Sequence, residues 1–290
     1  MHAPVLVAEV VAALQPDSRG TYVDATVGYG GHTAALLDAG AGLVIGIDRD
    51  PEAIAACRIR FADRDARVVL VHADFRTLGR VLADHGQTAI DGVVADFGVS
   101  SPQLDEAARG FSFRHDGPLD MRMDPTAGRP LASLLADVDE RTLADVIFRF
   151  GEERHARRIA RAIVRARSEA PIVATGALAS IVRRAAGGPW RRIDPATRTF
   201  QALRIWTNDE LDGLDAFVTT AVASLARGGR LAAIAFHSLE DRVVKHTLRA
   251  LGVAGTVRVL TKKPVEASEA EIATNPRARS ARLRVAEKTA

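Results

Sequence analysis

Four acidic residues stand where short apolar runs of the chain end: Asp24 in "VDATVGYGGH", Asp48 in "LVIGID", Asp74 beside Phe75, and Asp96 in "VVADFG". Between the first two lie Gly28, Gly30 and Gly31, which permit a tight turn and let backbone N–H groups approach a ligand closely. Alone, such a loop admits a hydride carrier, a phosphate or no ligand at all. The dinucleotide fingerprint asks for a third glycine three residues after the second, and that position holds Thr33. Asp48 follows Gly28 by twenty residues, the spacing at which a carboxylate accepts both hydroxyls of a ribose. Asp74 and Phe75 could bracket an adenine, or could cap a helix and fill a core. Asp24, just before the glycines, could hold a positively charged amino-acid end. Adenosine with a cationic tail describes S-adenosylmethionine better than a nicotinamide cofactor.

Asp96 narrows the reaction. Methylation of a cytosine at C5 needs a cysteine thiolate to attack the ring. The single cysteine, Cys57, falls in a predicted helix, where packing is its expected role. An exocyclic amine is different, because its lone pair is delocalised into the ring. The enzyme must hold an N–H with an acceptor and align nitrogen, methyl and sulfur for displacement. Asp96 and the backbone carbonyls of Ser100, Ser101 and Pro102 are suitable acceptors, although a strand-end Asp can also hold its own loop.

The elements that must position these residues are legible. "TYVDAT" (21–26), "LVIGID" (43–48), "VVLVHA" (68–73) and "IDGVVADF" (90–97) are near-continuous apolar runs, as parallel strands covered on both faces require. The segments between them are long enough for crossover helices, and Asp50-Pro51 has helix-start chemistry. The alternation stops after Gly98. Residues 100–206 carry a Gly/Pro/Asp-rich loop and helical patterns such as "HARRIARAIVRAR". It then resumes with a helix in "LDAFVTTAVASL", a strand in "GGRLAAIAF" and a helix in "SLEDRVVKHTLRAL", with Ser238 and Asp241 at capping-box spacing. "TVRVLT" and "ARLRVAE" complete the strands. The expected fold is α/β, a Rossmann-like doubly wound sheet in residues 1–99 and 207–290, with an inserted, mainly helical substrate domain in 100–206.

A composition 47% hydrophobic and 26% charged is that of a globular protein, and no apolar run is long enough for a membrane span. "MHAPVLVAEVV" reads as an amphipathic helix rather than a signal peptide, so a cytoplasmic protein is expected. The formal net charge is +3, but eleven arginines between Arg149 and Arg192 face only Glu152, Glu153 and Glu169. That local excess of eight positive charges suits nucleic-acid phosphates, arginine's planar fork being matched to them, though single arginines also belong on solvated helix faces. Trp190 and Trp206 could stack on bases, but packing within the insert is the better expectation. The histidines lack ligand spacing, so no metal is expected.

With these residues in place, the chain resembles the RsmH (MraW) family of bacterial methyltransferases. The likeness runs through "HAPVL", "DATVGYGGH", "IDRDPEAI", "DFGVSSPQLDEAARGFSFRHDGPLDMRMDP", "GEERHARRIARAIV", "PATRTFQALRIWTNDEL", "GGRLAAIAFHSLEDRVVK" and "NPRARSARLRVAE". It implies a class I fold and transfer of a methyl group from S-adenosylmethionine to N4 of a cytidine in the decoding centre of small-subunit (16S) ribosomal RNA. By similarity Gly30, Gly31 and His32 contact the cofactor, Asp48 its ribose and Phe75 its adenine side, while Asp96 and Gln103 complete the pocket. His32 and Gln103 enter only through the family. The resemblance also implies that the insert binds the RNA and that the small ribosomal subunit is the partner. "HSLEDR" is expected near the base, with Glu240 and Asp241 also readable as first-turn helix acids. A homodimer is left open. Two rivals remain at this point, a nicotinamide oxidoreductase on the same fold and a non-catalytic RNA-binding assembly factor.

Overall fold

The computed structural model describes residues 4–187 and 194–289. Along the chain come α1 (Val7–Leu14), β1 (Thr21–Asp24), α2 (Gly31–Asp38), β2 (Leu43–Asp48), α3 (Pro51–Arg60), β3 (Val68–His72), α4 (Leu78–Asp84) and β4 (Ile90–Asp96). Six helices follow: α5 (Ser101–Asp105), α6 (Leu131–Asp137), α7 (Glu140–Gly151), α8 (Ala156–Glu169), α9 (Thr175–Ala186) and α10 (Ala196–Asn208). The chain then forms α11 (Leu214–Ser224), β5 (Leu225–Ala235), α12 (Ser238–Val253), β6 (Val257–Val259), β7 (Val265–Glu266), α13 (Glu269–Thr274) and β8 (Arg282–Lys288). Two compact units result, one of Met1–Gly98 with Leu211–Ala290, the other of Val99–Glu210.

In the first unit the strand order is β3-β2-β1-β4-β5-β8-β6, with β7 also on β8. β1 to β5 pair in parallel, and β8 runs antiparallel to β5, β6 and β7. Alternate strand residues feed two cores, as a pleated sheet requires. Val23, Ile45, Val93 and Leu231 meet α4, α11 and α12 through Leu78, Phe217 and Val244. Tyr22, Val44, Val94 and Ala232 meet α1, α2 and α3 through Val10, Leu36 and Ile54. This is the doubly wound, Rossmann-like sheet. Its order reverses between β1 and β4, so ligands belong in the crevice beyond the carboxyl ends of those strands. Cys57 packs in the second of these cores. Among the described residues no helix is long and apolar enough to cross a membrane.

The second unit has a core of its own. Leu143, Ile147, Ile159, Ile163, Leu178, Val182 and Phe200 bring α7 to α10 together, and Trp206 packs against them. Leu119 and Met121, from the Gly/Pro/Asp-rich loop, join that core. Met121 adopts a left-handed backbone, φ 61°, which a non-glycine residue holds only when its surroundings enforce it. Asn208 does so, its Nδ2 donating to the Met121 carbonyl at 2.7 Å and its Oδ1 accepting from the Met123 N–H at 2.7 Å. Trp190, Arg191 and Arg192 lie outside the described residues.

Candidate functional site

The turn after β1 is held by both neighbouring strands. Ala25 N–H donates to the Val94 carbonyl and Val27 N–H to the Ile47 carbonyl, each at 2.8 Å. Gly28 and Gly30 sit at φ 50° and 78°, the left-handed region open to glycine. At Gly30 a Cβ would also come within 2.6 Å of the Phe61 ring. Thr33, where a hydride-carrier loop has its last glycine, donates its hydroxyl to Asp24 Oδ2 at 2.8 Å. The broken fingerprint therefore has a structural use. It also corrects one expectation, that Asp24 would grip a charged amine. Asp24 is 0% exposed, which keeps a ligand from its carboxylate, burial raises its pKa, and the carboxylate accepts from the Thr33 hydroxyl and the Thr26 N–H. It can act on a ligand only as a charge behind the loop.

Asp48 stands at the carboxyl end of β2, as the spacing predicts. Its Oδ2 accepts from Gly28 N–H at 2.7 Å and its Oδ1 from Asp50 N–H at 2.8 Å, tying the glycine turn to the neighbouring strand. Burial pushes its pKa up to about 6 against these two bonds. A carboxylate has about four lone-pair sites, so two remain for a diol. Asp74 resolves toward capping: it accepts from Arg76 N–H at 2.9 Å and from Arg76 Nη2 at 2.7 Å. Burial works against it, but the Arg76 bonds hold its carboxyl below the usual range. Phe75 is partly buried and packs against the first core, edge-on to Phe97 (5.7 Å) and Phe217 (4.8 Å).

Asp96 closes β4. Its backbone N–H donates to Thr26 Oγ1 at 2.7 Å, and its Oδ1 accepts from Gly98 N–H at 3.2 Å. The other oxygen faces His32 Nε2 at 3.6 Å. The His32 side chain is 5% exposed and that of Asp96 21%. Burial lowers the imidazole pKa, but Asp96 first and then Asp24 outweigh it, and the net direction is upward. Thr26 is a residue that sequence reasoning missed; a threonine in a turn carries no signal that its hydroxyl will fix a strand-end acid.

Residues 100–103 belong to the second unit, and there the expectation changes. They form the start of α5, with Ser100 as N-cap: Gln103 N–H donates to Ser100 Oγ, and Ser100 N–H donates to Gln103 Oε1 at 2.9 Å. The Ser100 carbonyl accepts from Leu104 N–H and the Pro102 carbonyl from Glu106 N–H, because carbonyls at a helix start point along the helix. Ser100 and Pro102 are thus not free acceptors for an amine, and Ser101, the first residue of the helix, shares that backbone direction. Gln103 has a capping task besides any cofactor contact.

The "HSLEDR" segment is also shifted by one residue from the capping reading. His237, not Ser238, caps α12, accepting from Glu240 N–H, while Glu240 Oε2 takes the Phe236 and His237 N–H groups. Asp241 instead receives Arg284 in a buried two-pronged pair, at 2.6 and 3.0 Å. In the basic insert, Arg158, Arg161, Arg165, Arg167 and Arg183 are engaged by Ala186, Glu140, Glu169, Leu135 and Asp194. Arg154, Arg157 and Arg184 are exposed and have no ion pair among the described residues.

Residues 1–289 match the model of the MraW methylase family. A ribosomal RNA small subunit methyltransferase H from Sorangium cellulosum is 52% identical over 287 residues, covering 98% of this chain and 90% of the relative. Its counterpart from Rhodospirillum centenum is 49% identical over 305 residues, covering 100% and 92%. Among solved structures, an rRNA methylase from Streptococcus thermophilus aligns over 98% of this chain and 92% of its own at 12% identity, with a TM-score of 0.41.

Proposed function

The chain belongs to the MraW methylase family, and from that premise we propose that it is an S-adenosylmethionine-dependent methyltransferase acting on N4 of a cytidine in the decoding centre of small-subunit ribosomal RNA. The single observation that carries this reading is the arrangement of Asp24, the glycine turn, Asp48, Phe75 and Asp96 at successive carboxyl ends of parallel strands, on either side of the point where the sheet order reverses.

S-adenosylmethionine, when bound, supplies a methyl group on a good leaving sulfonium. Asp48 and the Gly28–Gly31 turn are the residues that would hold its ribose and backbone, with Phe75 on the adenine side. The fit is supported by what these groups leave open. Asp48 keeps acceptor capacity beyond its two backbone bonds, and no Cβ at Gly28 would meet anything nearer than 3.9 Å.

Amine chemistry is favoured over ring-carbon chemistry. The Cys57 thiol is buried, donates to the Gly28 carbonyl at 3.2 Å, and its pKa is pushed up to about 12, so it offers no thiolate. Asp96 is the acceptor that would hold the substrate N–H and turn the nitrogen lone pair toward the methyl group. Positioning supplies most of the rate in such a displacement. Residues 100–206 are the proposed RNA domain, with Arg154, Arg157 and Arg184 as phosphate contacts that set position rather than sequence. The assembled small subunit, in which a cytidine can be splayed out, is the proposed partner.

The test is methyl transfer from tritiated S-adenosylmethionine to small subunits from cells lacking the enzyme, followed by mass spectrometry of the nucleosides. N4-methylated cytidine is expected. Label at C5, or none, would overturn the reading.

A further inference from the structure

The buried imidazole of His32 stands 3.6 Å from one carboxylate, Asp96, and feels the charge of a second, Asp24. Asp24 is fully buried, His32 is nearly so, and Asp96 is the member that reaches the surface. Both ring nitrogens of His32 are buried without a hydrogen-bond partner among the described residues. Such groups are rare, and each calls for a reason. The 3.6 Å from Nε2 to Asp96 Oδ2 is ion-pair distance, longer than a hydrogen bond. Catalytic contacts are often long before the reacting complex forms and tighten within it.

The position is otherwise a poor one for a basic group. His32 lies in the first turn of α2, where the helix dipole disfavours a cation. The charged groups facing it are Asp96 from β4 and Asp24 from β1. Asp48, at the end of β2, acts on Asp24 in turn, and α1, packed beside α2, carries Glu9 as its one charged side chain. Asp96 Oδ1 is already held by Gly98 N–H, so the orientation of the carboxylate depends on what holds Oδ2.

We propose that His32 is the positioning residue for Asp96: its Nε2 side fixes Oδ2 and leaves a lone pair directed at the substrate amine. The proposal rests on the assignment of Asp96 as the amine acceptor, and it assigns the His32 side chain a role separate from any cofactor contact.

The experiment compares wild type, His32→Gln, His32→Leu and Asp96→Asn in methyl transfer to small subunits, with kcat and KM for S-adenosylmethionine measured separately. His32→Leu is expected to lower kcat about ten- to hundred-fold, the range found for the outer partners of metal ligands, a larger factor than any rise in KM for S-adenosylmethionine. His32→Gln, which keeps a donor but no charge, is expected to recover part of the rate. Unchanged kcat would overturn the proposal, as would a His32→Gln variant no better than His32→Leu, or equal losses of kcat, cofactor affinity and thermal stability, which mark a packing role. If His32→Leu does not fold, NMR titration of the His32 ring in wild type and Asp96→Asn decides: the midpoint must fall in Asp96→Asn, and an unchanged midpoint refutes the coupling. Normal turnover of Asp96→Asn would instead remove the amine assignment itself.

Discussion

Replacing Asp48 by Asn should make the protein more stable and a worse binder. Burial raises the Asp48 pKa from 3.8 to about 6, even though Asp50 and Gly28 N–H groups favour the ionised form. One unit corresponds to about 1.4 kcal/mol, so the ionised side chain costs the fold about 3 kcal/mol. The sign follows from proton binding. The native state holds the proton more tightly than the unfolded chain, so the penalty is absent below pH about 4, grows with rising pH and is complete above about 6. Asn removes the charge but can accept only one of the two backbone N–H bonds, and the orphaned donor costs about 1–2 kcal/mol. The net expectation is a gain of about 1–2 kcal/mol at pH about 8 and a loss of about 1–2 kcal/mol at pH about 4, where only the orphaned donor counts, read by denaturant unfolding at both. Calorimetric titration with S-adenosylmethionine should show affinity lower by about tenfold or more, since at least one hydroxyl bond to a charged acceptor is lost. Wild-type affinity should also fall as pH drops through about 6. An Asn variant that is less stable at high pH and binds the cofactor normally would show Asp48 to be only a staple between the turn and β2.

Asp96→Asn should lose methyl transfer while retaining RNA binding in a filter assay; loss of both would point to a fold defect rather than a chemical one. Arg284→Ala should destabilise the first unit by about 3 kcal/mol, because it leaves the buried Asp241 carboxylate without its two-pronged partner, and Arg284→Met with Asp241→Asn should recover most of that in thermal unfolding. Arg154→Gln, Arg157→Gln and Arg184→Gln should each lower RNA affinity and reduce the slope of log K against log salt by about 1, whereas Arg183→Gln, whose guanidinium is engaged by Asp194, should act mainly on stability.

The strands were open to sequence reading because buried parallel strands are written as continuous apolar runs, and β1 to β4 lie within a residue or two of those runs. β7, two residues long, has no period to read. The site was legible as spacing: Asp48 relative to Gly28 describes a bond that exists, though to the backbone of the turn. What spacing cannot report is solvent exposure. Asp24 looks like a ligand group in sequence and is sealed by Thr33. Ser100 and Gln103 did carry their signal, since Ser-x-x-Gln is a capping box and predicts that the carbonyls are spent within the helix. His237 gave none, being outside the usual set of capping residues.

The pairing of β4 with β5 sets an order on the birth of the molecule. Val93 and Leu231 are neighbours in the sheet, yet the whole of Val99–Glu210 is synthesised between them. An unfolded loop of that length is entropically costly to close, and β4 waits meanwhile with an unpaired edge. Because the intervening segment has its own apolar core, it can collapse first and shorten the effective loop to the separation of its two ends. A substitution that melts that core, such as one at Ile159 or Val182, should therefore slow refolding of the sheet and promote aggregation even though it touches no residue of the sheet.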